Sequence, residues 1–167
     1  GATEPVVLVG HSFGGIVISQ VAEIVPERIS RLVYLTAFLP ANGQSLSRLA
    51  TADPDNPVAS SSIISADQQL ISLDLDKVQA LLYADCPESD VALARQQLCA
   101  EPVRPLITPV AITAGRAGRI PRTCIECLND IAIPLWFQRQ MQAAVPCEPS
   151  SDTISTNTPC RPNVSIR

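Results

Sequence analysis

The stretch Pro5-Val6-Val7-Leu8-Val9 is continuously apolar, rich in β-branched side chains, and stops at Gly10. A run of this kind, with no polar alternation, predicts a short strand buried on both faces, as in a parallel sheet. From Gly14 to Val25 the period changes. Ile16, Val17, Val21, Ala22 and Val25 fall on one helical face, and Pro26 ends the helix. Ile29 to Phe38 (ISRLVYLTAF) predicts a second strand with Leu32, Val33, Tyr34 and Leu35 at its centre. Strand, helix and strand within about 35 residues make a βαβ unit, which requires a parallel sheet and a right-handed crossover.

Past Pro40 the pattern loosens. Ala50 to Ser65, rich in Asp, Pro, Ser and Ala, holds no sustained period and is expected to be a loop. Leu75–Leu82 and Glu88–Leu98 predict amphipathic helices, the second with Ser89 and Asp90 near its start, where a helix N-terminus favours them. Pro121–Cys127 predicts a third strand and Pro134–Ala144 the helix after it, while the tail from Glu148 to Arg167 is Ser-, Thr-, Pro- and Asn-rich. Helices and loops between buried strands read as a cap laid over a sheet. The expected organisation is core elements over 1–39, a cap insertion over 40–119, a core strand and helix over 120–147 and an irregular tail over 148–167.

Composition narrows the function classes. With 167 residues, 46% hydrophobic and 17% charged, the chain is one domain or a piece of one and not a disordered linker. A net charge of −4 without a basic stripe argues against a nucleic-acid partner. The longest apolar runs fall far short of the ~20 residues that span a bilayer, so a soluble protein without a membrane partner is expected. Gly1 to Pro5 hold neither a secretion signal nor an initiating Met, and the start reads as a cut end. The compartment stays open, with the cytoplasm as default. Six cysteines (Cys86, Cys99, Cys124, Cys127, Cys147, Cys160) make an even count that, without a secretory context, implies no oxidised framework.

The chemistry-bearing pattern is Gly10-His11-Ser12-Phe13-Gly14, a G-x-S-x-G between a buried strand and an amphipathic helix. A serine on so sharp a strand-to-helix turn takes a strained backbone that small neighbours tolerate; Gly10 and Gly14 meet that demand, and Gly15 adds clearance. The turn lifts the Ser12 hydroxyl above the sheet edge, and the Phe13 N–H, at the positive end of the helix, can donate to a developing oxyanion. His11 is the sole histidine. It is either a base or a structural part of the turn, and its adjacency to Ser12, which points its side chain elsewhere, favours the structural role. Asp130, just past the third strand, is a candidate orienting carboxylate at the same sheet edge, or a cap for the helix beginning near Pro134, a job Asn129 could also do. Glu126 is a weaker candidate because it lies within the strand. Cys124-Ile125-Glu126-Cys127 matches C-x-x-C, but residues three apart in a strand diverge and no second pair stands at zinc spacing, so two separate cysteines are expected. Asn163-Val164-Ser165 matches a glycosylation sequon in the tail. No metal or cofactor is implied.

The stretches VVLVGHSFGG, PERISRLVYLTAFLPANGQSL and GRIPRTCIECLNDIAIPLWFQRQM resemble the α/β-hydrolase superfamily. More narrowly, they are similar to the branch of small capped esterases that includes plant hydroxynitrile lyases, plant methylesterases and their bacterial and fungal relatives. The resemblance implies a partial α/β-hydrolase fold, a parallel sheet with flanking helices and a helical cap insertion. It further implies Ser12 as nucleophile, the Phe13 N–H as one oxyanion donor, Asp130 as triad acid and an apolar pocket under the cap. Members of the family carry strands ahead of the nucleophile turn and a triad histidine after the acid; here no histidine follows His11. The family pattern holds through Pro146-Cys147 and then breaks, as a shifted reading frame would produce. Reading Thr156–Pro159 two bases later can place a histidine at position 157 or 158.

The leading expectation is a serine carboxylic-ester hydrolase acting on a small-molecule ester, inactive or nearly so in this chain for want of its histidine. The alternative from another class is an inert remnant serving at most as an interaction module. A hydroxynitrile lyase finds no support, since the one lysine, Lys77, lies in the cap.

Overall fold

The computed structural model describes residues 4–148 and the backbone of residues 153–154. Strand β1 (Val6–Ser12) turns into helix α1 (Gly14–Ile24), which returns through a 3-10 turn at Pro26–Arg28 to strand β2 (Ile29–Ala37). The cap follows: α2 (Leu46–Ala50), α3 (Pro57–Ser60), β3 (Ser62–Ile64), β4 (Leu70–Leu73), α4 (Val78–Leu82), α5 (Glu88–Gln97), β5 (Glu101–Pro102) and α6 (Val103–Ile107). The chain re-enters the core through β6 (Arg122–Cys127) and α7 (Leu135–Ala144), then β7 (Thr153–Ile154). The core sheet runs β1-β2-β6-β7, all parallel, with Val9 beside Val33, Tyr34 beside Cys124 and Glu126 beside Thr153.

Four details depart from the sequence pattern. Val6 and Val7, expected to be buried on both faces, are 45% and 56% exposed, because β1 pairs only with β2 among the described residues. On α1 the buried face is Gly15, Ile16, Ile18, Ser19 and Ala22, while Val17 faces solvent. Ser19 causes the shift: its hydroxyl bonds the Gly15 carbonyl and the Tyr34 hydroxyl, each at 2.7 Å, so a polar residue sits inward where an apolar count overlooks it. The expected loop over Ala50–Ser65 holds α3 and β3. The cap thus contains a three-stranded antiparallel sheet, β3-β4-β5, besides its helices. Finally, Cys124 is bonded to Cys147 in a disulfide that joins β6 to the chain after α7, while Cys127 is free.

The tail is not wholly irregular, since Thr153–Ile154 adds a short parallel strand beside β6. Positions 157 and 158 and the Asn163 sequon lie outside the described residues. No helix among the described residues is long and apolar enough to cross a membrane.

The α1–β2 packing rests on one close approach. A Cβ built at Gly15 would stand 2.1 Å from the Phe38 carbonyl oxygen, whereas one at Gly14 would meet open space. The clearance expected of Gly14 therefore belongs to Gly15. Gly15→Ala is expected to lower unfolding free energy by about 3 kcal/mol or more through backbone displacement. Gly14→Ala should be neutral or stabilising by up to about 1 kcal/mol, as for alanine over glycine in a helix. Urea unfolding of the two variants checks this, and equal losses would refute the asymmetry.

Candidate active site

Ser12 ends β1 with φ +51°, a left-handed backbone that a non-glycine residue adopts at a cost. Two features hold it there. A Cβ at Gly10 would lie 2.6 Å from the Gly14 carbonyl oxygen, so only glycine lets the chain fold back so tightly. The Ser12 carbonyl accepts from the Phe38 N–H at 3.1 Å, fastening the turn to the end of β2. Phe13 is the N-terminal cap of α1; its carbonyl accepts from the N–H of Ile16 at 3.0 Å, leaving its own N–H at the positive end of the helix. The Ser12 hydroxyl has no hydrogen-bond partner among the described residues.

Asp130 is 5% exposed and fully coordinated. Its Oδ1 accepts from the N–H groups of Ala132 (2.8 Å) and Ile133 (2.9 Å), and its Oδ2 accepts from the Thr36 hydroxyl at 2.6 Å. It closes a local turn and does not cap α7, whose N-terminus at Pro134 carries no side-chain hydrogen bond. Thr36 is itself buried, with φ +34°, an outlying conformation for a β-branched residue, and follows Leu35, the β2 partner of His11. The Ser12 turn and the Asp130 carboxylate thus meet the same end of β2. Glu126, the other acidic candidate, is engaged with Arg139 at 3.0 Å and with Gln142, on the outer side of α7.

Two residues without an assigned role in the sequence pattern hold the acid loop. The buried Gln138 of α7 accepts from the Cys127 N–H (3.1 Å) and donates to the carbonyls of Cys127 (2.9 Å) and Ile133 (2.7 Å), closing the loop at both ends. Asn56, buried in the cap, donates to the Ala132 carbonyl (2.8 Å) and to Asp53 (3.1 Å), and accepts from the N–H groups of Val58 and Ala59. Asn56 caps α3, inside the stretch expected to be a loop, and nothing in the local sequence points to Ala132.

His11 lies beside the turn, off the cavity wall, with part of its surface open and its ring largely surrounded by protein. Loss of hydration lowers its imidazole pKa, against the upward pull of the Asp130 carboxylate. Burial first, then the Asp130 charge, pushes the Cys127 thiol up to about 11, so it stays protonated and inert at neutral pH. Among the described residues no cluster of three or more His, Cys, Asp or Glu could hold a metal. Between core and cap lies a cavity of about 660 Å³. Ser12, Phe13, Phe38 and Phe137 form its floor, with side chains of the cap above.

A profile of the Alpha/beta hydrolase family matches residues 1–154. The chain belongs to the α/β-hydrolase family. It is 34% identical over 158 residues to putative chloroplastic methylesterase 11 of Arabidopsis thaliana, covering 87% of this chain and 39% of that protein. It is also 34% identical over 147 residues to the pyrethroid hydrolase of Sphingobium wenxiniae, covering 84% and 52%. The crystal structure of a pyrethroid hydrolase from Sphingobium faniae JZ-2 superposes with a TM-score of 0.78 at 30% identity, over 95% of this chain and 64% of that one. Tomato methylketone synthase I superposes with a TM-score of 0.81 at 21% identity, a likeness of fold, over 95% of this chain and 65% of that one. This α/β-hydrolase chain spans 39% and 52% of the two curated relatives and falls with their methylesterase-like branch.

The acid loop of this α/β-hydrolase gives two expectations. Gln138→Ala strands the buried Cys127 N–H and the Ile133 carbonyl and should cost about 3 kcal/mol in urea unfolding; a loss below about 1 kcal/mol would show the loop is held by other means. The Cys127 thiol, ordinarily titrating at 9.0, keeps its proton in the folded chain to about 11. Between those values the unfolded state binds fewer protons, so stability falls as pH rises, and the contribution is fully present below 9.0. Tyr34, whose phenol is raised chiefly by burial, adds to the slope above 10.0. Cys127→Ala should flatten the part that begins near 9.0, and an unchanged slope in stepwise-pH unfolding would count against it.

Proposed function

We propose that this chain carries the nucleophile, one oxyanion donor and the orienting acid of a serine carboxylic-ester hydrolase. The observation that carries the reading is Ser12, held at φ +51° with its residue on the wall of the 660 Å³ cavity, at the sheet edge where the buried Asp130 also sits. In that reading the Ser12 Oγ attacks the ester carbonyl carbon, the carbonyl oxygen becomes an oxyanion facing the Phe13 N–H, and the alcohol leaves from a tetrahedral intermediate. Water then releases the acid from the acyl-serine. Asp130 orients the histidine that takes the serine proton, its carboxylate fixed by Thr36, Ala132 and Ile133. That histidine is not His11, which stands off the cavity wall. The relatives named methylesterase and pyrethroid hydrolase support ester hydrolysis and a small-molecule ester substrate. Lys77, paired with Asp74 at 3.7 Å and off the cavity wall, gives a lyase no support.

A second reading, an inert remnant, is favoured by the lone histidine and its position off the wall. Fluorophosphonate labelling separates the two. The esterase reading expects label on Ser12 in the polypeptide that contains the triad histidine, and none after Ser12→Ala; label persisting in that variant would remove Ser12 from the mechanism. In the same polypeptide, Asp130→Asn is expected to lower kcat on p-nitrophenyl esters by about three to four orders of magnitude with the fold intact. A loss under tenfold would leave Asp130 a turn-forming residue only.

A further inference from the structure

Strand β2 carries one residue more than its neighbour β1 can pair. His11 stands opposite Leu35 and Ser12 opposite Ala37, so Thr36 is bulged out of the ladder beside the nucleophile turn. Pairing with β6 on the other side also stops at Leu35, opposite Ile125. A bulge re-aims the side chain it carries, and here it does so at a cost. Thr36 sits at φ +34°, where a glycine would rest unstrained and a β-branched residue does not. What threonine supplies at that point is a buried hydroxyl, its Oγ1 2.6 Å from Asp130 Oδ2. That hydroxyl has a single proton. Given to Asp130, it leaves the oxygen able only to accept from the neighbouring Cys127, whose thiol stays protonated at neutral pH. The direction in which Thr36 donates is thus fixed from behind.

The two oxygens of Asp130 are served unequally. Oδ1 accepts from the N–H groups of Ala132 and Ile133, whereas Oδ2 accepts from the Thr36 hydroxyl alone among the described residues. A carboxylate oxygen offers two acceptor positions, so Oδ1 is saturated and Oδ2 keeps one. We propose that Thr36 is a positioning residue of this site, bulged so that its hydroxyl pins Oδ2 and leaves that oxygen, not Oδ1, with the one free direction that receives the imidazole N–H of the triad. The inference rests on the reading of Ser12 and Asp130 as nucleophile and orienting acid. Thr36 touches neither the ester nor the imidazole and acts through Asp130. Leu35 is paired on both sides and Ala37 is paired with Ser12, so three consecutive residues of β2 join the acid to the serine.

Thr36→Val keeps the branched shape at the bulge and removes the donor, while Thr36→Ser keeps the donor and removes the branch. Both are made in the polypeptide that contains the triad histidine. Turnover of p-nitrophenyl esters is expressed per fluorophosphonate-titrated serine, so that misfolded molecules do not enter kcat. Thr36→Val is expected to lower kcat per titrated site about tenfold, the order of one hydrogen bond to a charged group, with KM unchanged within about twofold. Thr36→Ser should keep kcat within about twofold of the parent and, without a branch at positive φ, should unfold at no lower a urea concentration. A purely structural Thr36 would cost titratable sites and leave kcat per site unchanged; that result in Thr36→Val would overturn the proposal. So would a Thr36→Ser protein as slow per site as Thr36→Val. If the valine variant does not fold, Thr36→Ala takes its place, since it differs from Thr36→Ser by the hydroxyl alone, and equal kcat per site in that pair would be equally fatal. Absence of label from Ser12 in the unsubstituted polypeptide would sink the ester-cleaving reading and this inference with it, whereas label with an undiminished kcat in Thr36→Val would sink the positioning role only.

Discussion

Helix α1 can lie on the end of β2 only because Gly15 presents a hydrogen to the Phe38 carbonyl, where a Cβ would stand 2.1 Å away. Much of the site follows from that contact. It brings the Phe38 N–H onto the Ser12 carbonyl, which fixes the left-handed turn. It sets the Phe38 ring edge-to-face with Phe137, centroids 6.2 Å apart, so that two aromatic rings floor the cavity next to Ser12. One residue on, the Leu39 N–H reaches the Met141 sulfur, tying the exit of β2 to α7. The Ser12 turn, the cavity floor and α7 thus meet around this one backbone approach.

The acid loop is built on a different plan. Cys127 to Ile133 contains little that would hold itself in place beyond the grip of Asp130 on Ala132 and Ile133. It borrows the rest from three separate layers: a hydroxyl from Thr36 in the sheet, an amide from Gln138 in α7 and an amide from Asn56 in the cap. Each donor is buried, so each bond replaces hydration already lost, and removing one partner leaves its mate unpaired in a dry place. The Asp130 carboxylate is thereby held in one orientation.

How much of this the sequence discloses depends on whether the signal is local. The βαβ unit is legible because a continuous apolar strand, a helical period and a terminating proline lie within one stretch, and the glycines around Ser12 announce the turn. The place of Asp130 just past a strand is legible as well. The inward face of α1 is misjudged because a periodicity of apolar residues has no place for Ser19, which is buried as a hydrogen-bonding group. The cap sheet is missed because strands of two to four residues hold too few positions to show alternation. Thr36 and Asn56 act on partners 94 and 76 residues away, and no spacing rule reaches that far. Gln138 looks like one more polar residue on a helix until its partners Cys127 and Ile133 are known.

Asn56 also divides the roof into a hinge and a lip. Its amide nitrogen bridges Asp53 and Ala132 while its oxygen holds the first turn of α3, so this margin of the cap and the acid loop behave as one lever. A roof that swung as a plate about the far side would drag the Ala132 carbonyl, and with it the peptide that grips Asp130. The opposite margin carries no such fastening: the hydrogen bonds of the β3-β4-β5 sheet, among the described residues, all stay within the cap. Its Ile63 and Leu70 face solvent. Among the described residues, the margin beside Asp130 is thus hydrogen-bonded to the core, whereas the bonds of the cap sheet run only within the cap.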